Sequence, residues 1–452
     1  MLEKLQNVFR VPELKRRIAF TAALLIVYRL GGHVPTPGID SQALALIFEQ
    51  QKNTLFGLYD MFVGGAFGKA TVFALGIMPY ISAAIILQLM GAVVPYFQKL
   101  QKEGEEGRKK ITQLTRYGTV LLSMIQSYGI AIYLERATTQ GGIAVVADPG
   151  WTFRLFTMIT LTSGTIFVMW LGEQISERGI GNGISLIIFI GIVARFPNDV
   201  INTVRSVLGG QLQVFAMIAI GILMLMIIAA VVLMTQGQRK IPVQYAKRVV
   251  GRRMYGGQST HIPLRVNAAG VMPIIFAQSI IMIPGTAGTF FQGAADQPGI
   301  AGFLSDMMLN VSALFSPRGP WAFFYYIIYS LIIIFFTYFY TAIVLNPEDL
   351  SDNMKKYGGF IPGVRPGKRT SEYIDRVLTR ITLPGAVFLA LIAIVPDIFI
   401  NYLGVPFYFG GTGLLIVVGV ALDTLQQVES HLVMRHYEGF LRKGRLRGRR
   451  FG

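Results

Sequence analysis

The chain has 452 residues, 53% of them apolar and only 14% charged, with a mean hydropathy of +0.53 and a formal charge of +17. That balance excludes a soluble domain of this length, and the absence of cysteine excludes disulfides, thiolate metal sites and cysteine nucleophiles. The excess of Lys and Arg offers a basic surface to an acidic partner, anionic lipid or RNA.

Ten apolar segments of spanning length recur, at 18–35, 72–95, 117–134, 152–171, 184–196, 212–234, 268–291, 321–345, 381–400 and 408–428. With the N-terminus inside, the intervening inner segments hold 33 of the 41 Lys and Arg, so the positive-inside rule predicts both ends in the cytoplasm. Residues 1–17 read as a charged amphipathic helix on the inner surface. No small-residue cleavage site follows a short apolar core, so a cleavable signal is not expected. Arg29 falls near the outer end of the first span, placed to snorkel, and 38–56 read as an outer loop.

The stretch from Gly57 to Pro95 reads as one membrane helix broken in two. Residues 58–68 are too short for a hydrocarbon core of about 30 Å, contain Asp60, Gly64, Gly65 and Gly68, and are followed by Lys69. Irregular backbone at membrane depth persists only where protein or water satisfies its N–H and C=O groups, so this segment predicts an interior cavity. The uncharged run 72–94 supplies the spanning half.

Further along, 98–116 form a cytosolic loop mixing six Lys or Arg with three Glu, and 138–150 a short outer loop. The fourth span runs into SERGIGNGIS, where Gly179, Gly181 and Gly183 make a tight entry to the fifth; the GxGxxG spacing of a dinucleotide site is missing. Residues 235–265 carry Arg239, Lys240, Lys247, Arg248, Arg252, Arg253 and Arg265 without one acid. Their alternation predicts a β-hairpin and their charge a docking surface. Residues 346–372 form a second long loop, with a Gly/Pro-rich tip presenting Arg365. The tail from 431 reads as a basic extension; His431 and His436 do not share a helix face and predict no metal site.

No HExxH, GxSxG or Walker loop is present. Asp60, Asp397 and Asp423 each fall by a span end or turn, so the interior reads as apolar throughout, which favours a passive pore over a secondary transporter with a broken-helix substrate site. Ile81 with Ile85, and Ile184 with Ile188, share helix faces, a spacing that suits helix packing as well as a pore lining.

The motifs GIMPYISAAIILQLM, EGEEGRKKITQLTRYGT, SERGIGNGIS, YAKR with QSTHIPLRVNAAGVMPIIFAQS, GVRPGKRT and YFGGTGLLIVV, in this order, make the chain resemble bacterial SecY, the channel subunit of the general (Sec) protein translocon. The resemblance implies an all-α membrane protein of ten spans, in two inverted five-helix halves (1–205 and 206–430) with a basic cytosolic tail at 431–452. It implies a protein-conducting channel in the bacterial plasma membrane, with no cofactor and no enzymatic activity of its own. Its pore ring would be Ile81, Ile85, Ile184, Ile188, Ile275 and Ile416. Its plug would be the half-helix at 58–68, with Asp60, Met61, Phe62, Val63, Gly64, Gly65 and Phe67. Gln88, Gln278 and Ser279 would lie along a lateral gate, and ordinary interhelical hydrogen bonding is the equal alternative for them. The implied partners are SecE and SecG, the SecA motor, the ribosome, signal peptides and translocating polypeptides, and membrane lipid. Arg365 sits in the partner-binding RPG motif, with Lys247, Arg248, Arg252 and Arg253 as further docking candidates.

Overall fold

The structure, a computed structural model, describes residues 11–51, 55–138, 144–210, 213–245, 248–250, 253–255, 259–291, 321–403 and 411–443, with a few positions between 303 and 315. Each of the ten predicted segments holds a helix. Among the described residues, seven helices are long and apolar enough to cross a membrane, or eight if one bent pair counts as a span. The chain separates into two compact units, Met1–Lys52 with Gly57–Arg195 and Val420–Gly452, and Asn53–Phe56 with Phe196–Gly419.

The first unit begins with α1 (Pro12–Gly31), α2 (Ser41–Gln51) and α3 (Leu55–Phe62). α2 lies within what the sequence marks as an outer loop: Asp40 receives the N–H groups of Gln42 and Ala43 on its carboxylate and starts the helix there. The break after α3 is longer than expected. Residues 63–77 are turns, and the next helix, α4, runs over Met78–Val93 only, 16 residues with proline in its first turn. At Val94, whose backbone is extended before Pro95, the chain turns by 98° into α5 (Pro95–Lys102).

α6 (Glu105–Arg136) and α7 (Trp151–Arg178) pack along one another. Thr115, Thr119, Ser123 and Ser127 recur every fourth residue on α6, all buried, and Ser127 meets Thr162 of α7 at 3.5 Å. Small residues at this spacing let membrane helices approach closely. A two-pronged ion pair braces the pair of helices towards each end: Arg116 Nε and Nη2 to Glu173 at 2.9 and 2.8 Å, and Arg154 to Glu135 at 2.7 to 3.1 Å. α8 (Gly183–Val193) follows, and α15 (Gly411–Lys443) closes the chain as a helix to Lys443, well into the region read as a basic extension.

The second unit contains α9 (Phe196–Leu208) and α10 (Val214–Gln236). α10 turns Phe215, Leu225 and Leu233 outward, as a lipid-facing span does. The predicted hairpin is present: β1 (Gln238–Tyr245) pairs antiparallel with β4 (Ser259–Arg265), Gln238 opposite Arg265 and Gln244 opposite Ser259. A shorter pair, β2 (Arg248–Val250) and β3 (Arg253–Tyr255), lies between them in sequence. α11 (Met272–Phe291) packs on α12 (Ala322–Val344), with Phe276 edge-on to Phe336 at 5.7 Å. The loop at 346–372 has more secondary structure than its composition suggests: α13 (Pro347–Lys356) is capped by Asn346, and β5 (Gly359–Phe360) joins the far side of β1. Ile241 and Val243 of β1, Leu264 of β4, Met354 of α13, and Ile361 close one small core with Ile374 and Leu378 of α14 (Lys368–Leu403).

Gly164 of α7 tests how tightly the broken segment is packed. A Cβ there would collide with the carbonyl of Val72. Gly164→Ala is expected to cost about 1–3 kcal/mol and lower the midpoint of thermal unfolding in detergent. Ser163→Ala, at the exposed neighbouring position, should leave it within about 0.5 kcal/mol.

Candidate functional site

The plug candidates lie together: Asp60, Met61 and Phe62 close α3, and Val63, Gly64, Gly65 and Phe67 follow in the non-helical stretch before α4. Met61, Phe62, Val63 and Phe67 are each at most 6% exposed, and Asp60 is 7% exposed. Gly64 and Gly65 have φ of +73° and +86°, a left-handed pair that side chains resist, so the turn after α3 requires glycine. Phe67 packs edge-on against Phe48 and Tyr59, with ring centroids 5.2 and 5.0 Å apart.

The segment is held from three directions. Asp60 is its centre: Oδ1 accepts from the N–H of Gly68 at 2.7 Å and Oδ2 from Arg195 Nη1 at 2.8 Å. From α1, Tyr28 donates its hydroxyl to the carbonyl of Val63 (3.3 Å) and Arg29 donates to that of Gly64 (3.2 Å). Against α8 the contact is backbone on backbone, since a Cβ on Gly64 would sit 2.8 Å from the Cα of Gly191. This corrects two expectations. Arg29 holds the plug candidate by its backbone, and a part-buried ion pair joins Asp60 to Arg195 where only apolar contact was expected.

α8, which carries Ile184 and Ile188, is fixed at its start by the GIGNG loop. Ile180 N–H donates to Thr21 Oγ1 (3.0 Å), Gly181 N–H to Gln427 of α15 (3.1 Å) and Gly183 N–H to Ser176 Oγ (2.9 Å), while Asn182 caps the helix by accepting from Ile184 and Ser185. Ile180 itself is buried with Leu14, against Val428 and Leu432. Three separate helices therefore set where α8 begins.

In the first unit, Ile81, Ile85 and Ile188 are at most 3% exposed, and Ile184 is half-buried beside Gly172; in the second unit Ile275 and Ile416 are buried as well. Of the gate candidates, Ser279 uses its hydroxyl on its own helix, donating to the Ile275 carbonyl at 2.8 Å, as Thr337 and Thr341 do on theirs. Gln88 Oε1 and Gln278 Nε2 have no hydrogen-bond partner among the described residues, and Gln278 is 1% exposed. Each of those two side chains thus has one buried polar atom unspent among the described residues.

Arg365 is exposed on a turn whose backbone is pinned. Its carbonyl accepts from Thr370 Oγ1 (2.9 Å), Ser351 donates to the carbonyl of Gly367 (2.8 Å), and Gly363 and Gly367 supply φ of +81° and +100°. Arg248 and Arg253 lie on β2 and β3, while Lys247 and Arg252 fall outside the described residues.

Tyr28, Gly191, Arg195 and Gln427 are the residues that sequence reasoning missed, and for Arg29 it missed the contact with Gly64. A signal for Arg195 was available: a lone Arg closing an apolar run is the natural complement of a lone Asp in a broken hairpin.

A multi-pass helical membrane protein with a non-helical stretch buried between two of its helices is the class these features define. The SecY family matches over residues 71–425. The protein translocase subunit SecY of Vibrio cholerae is 48% identical over 438 residues, covering 97% of this chain and 96% of that one. The chain belongs to the SecY family. At the level of fold, it is similar to a solved structure of a SecY channel whose plug domain stabilises the closed state and maintains a membrane seal (TM-score 0.61, 19% identity, 92% of both chains). It is similar also to Sec61 in the canine ribosome–channel complex from the endoplasmic reticulum (TM-score 0.60, 17% identity, 92% of both chains).

The Gly64 contact gives a direct test of the seat. In this cysteine-free chain, Val63→Cys is expected to react slowly with an aqueous maleimide, and adding Gly64→Ala, which cannot adopt the turn without about 1–3 kcal/mol of strain, should raise the labelling rate several-fold.

Proposed function

We propose that this chain is the central protein-conducting channel of a bacterial Sec translocon, passing unfolded secretory polypeptide across the plasma membrane and releasing apolar segments sideways into lipid. The observation that carries the reading is the seated segment at 58–68. It is too short to span, is irregular where lipid could not satisfy it, and is held by side chains from α1 and from just beyond α8. A transporter would direct its buried charges at a substrate; here Asp60 and Arg195 close on each other.

The pore ring is assigned to Ile81, Ile85, Ile184, Ile188, Ile275 and Ile416, the six positions that the resemblance to the family marks. Branched aliphatic side chains offer ions no hydrogen-bonding or charged site, and they yield to any passing side chain. Sealing and low adhesion thus come from the same chemistry. An apolar segment in the channel gains about −0.3 to −0.6 kcal/mol for each central Leu, Ile, Phe or Val on moving into lipid. Gln88 and Gln278, whose Oε1 and Nε2 respectively have no partner among the described residues, are the amides assigned to a lateral gate.

The partners are SecE and SecG in the membrane, SecA and the ribosome at the cytosolic loops, and signal peptides in transit, with both termini cytoplasmic by the charge distribution. The β1/β4 hairpin and the Arg365 turn share one small core, so a motor or ribosome gripping either grips a single rigid body. Work comes from those partners, and the channel itself performs no catalytic step.

Two experiments test this. A photoreactive residue at Ile188 should cross-link to a stalled secretory precursor in mid-transit; no adduct there, with small-solute uptake by the same vesicles, would return the chain to the transporter class. Arg365→Glu should abolish most SecA-driven translocation while leaving membrane assembly intact, and undiminished transport would remove Arg365 from the docking surface.

A further inference from the structure

We propose that Asp60 and Arg195 form an electrostatic latch that holds the plug segment closed on the end of the helix bearing Ile184 and Ile188. The inference rests on reading 58–68 as the plug.

Asp60 is the only acid between Gly57 and Gln101, and Arg195 the only base between Gly179 and Asn202. Their side chains are 10% and 20% exposed and meet at 2.8 Å. An exposed ion pair at this distance contributes little, but one shielded from water gains strength from the low dielectric, and either charge left alone there is costly. The pair also ties the segment to itself, because the second oxygen of Asp60 takes the N–H of Gly68, across the whole turn. Losing the carboxylate charge therefore loosens the seat, and losing the whole side chain loosens the turn as well.

The pairing lies at a place where motion must act. Arg195 follows the last turn of α8, its N–H still donating to the carbonyl of Ile192 at 3.2 Å, and Gly191 one turn earlier touches Gly64. A shift of α8 that separates Gly191 from Gly64 also pulls on Arg195. The two contacts break together, which makes closure cooperative. Once the segment swings out, both charges regain water, so the latch opposes the first movement and adds little to the later ones.

The test is resting ion conductance of the purified complex in planar bilayers. Asp60→Asn keeps the volume and the acceptor for Gly68 while removing the charge; Arg195→Gln removes the opposite one. Each should raise resting conductance by about tenfold or more, the equivalent of about 1.4 kcal/mol or more lost from the closed state. The double variant should conduct no more than the leakier single one, because the two residues act as one pair, and Arg195→Lys should stay within a few-fold of the parent. Deletion of 58–68 provides the unplugged reference. If the deletion raises conductance while Asp60→Asn and Arg195→Gln do not, the latch is overturned and the plug stands. If the deletion changes nothing, the plug reading itself fails. Should Arg195→Gln reduce assembly, maleimide labelling of Val63→Cys with and without Asp60→Asn decides the matter: an unchanged rate overturns the latch.

Discussion

A backbone that leaves the helix inside a membrane must find its hydrogen bonds in protein, and the organisation of the first unit follows from that demand. Residues 63–77 make fifteen peptide units without an intrahelical ladder. Their partners are distributed around them. Thr36 N–H donates to the Ala70 carbonyl at 2.9 Å, Val72 N–H to that of Val34 at 2.9 Å, and Thr71 N–H and hydroxyl both to that of Ala66. Tyr59 donates to the Leu75 carbonyl at 2.9 Å. With Tyr28, Arg29 and Asp60, these side chains and loops do the work that solvent does for a surface turn. The loop after α1 is thus as much a part of the re-entrant fold as the segment itself.

The same logic explains why glycine and hydroxyl residues, more than large apolar ones, mark the important contacts. Where Gly64 meets Gly191, or Gly183 meets the Gly172 carbonyl, the absence of a Cβ brings polar backbone close enough to shield it. Tight backbone contacts and a few directed hydrogen bonds specify one arrangement in a solvent where apolar side chains have no preference between lipid and one another. The GIGNG loop is the clearest case. Four of its N–H or side-chain groups are engaged with Thr21, Ser176, Gln427 and the start of α8, so the helix bearing two of the pore candidates is set by polar contacts at one end and by Gly191 and Arg195 at the other.

How much of this was legible in the sequence depended on whether a feature was local. Hydropathy placed a helix in each of the ten apolar segments, because a span is written in consecutive residues. Alternation placed β1 and β4, and the glycines with Asp60 placed the broken helix. The boundaries inside 57–95 were not legible: Ala70, at φ +43°, and the turns to Ile77 belong to an apolar run that also suits a helix, and their non-helical partners, such as Val34, Thr36 and Tyr59, are distant in sequence. α13 and β5 were hidden by Gly and Pro that mark the turns around them. Arg195 escaped because its meaning resides in Asp60, 135 residues away. Its charge was visible and its partner was not.

On the assignment proposed above, the plug and the pore ring would be two seals of different chemistry, and that division has a physical rationale. A ring of branched aliphatics excludes ions by offering them nothing, but the compliance that lets it pass any polypeptide also lets it fluctuate when empty. A segment closed by an ion pair, two carbonyl contacts and a glycine-on-glycine fit has a defined position and a threshold for leaving it. Hydrogen bonds are directional and weaken steeply on misalignment, whereas apolar contact has no preferred angle and tolerates a change of partner. A gate that must be firmly shut and yet indifferent to what passes is therefore best divided, with polar contacts holding the closed state and apolar side chains lining the path. That is the division of residue types between 58–68 with its seat and the six isoleucines.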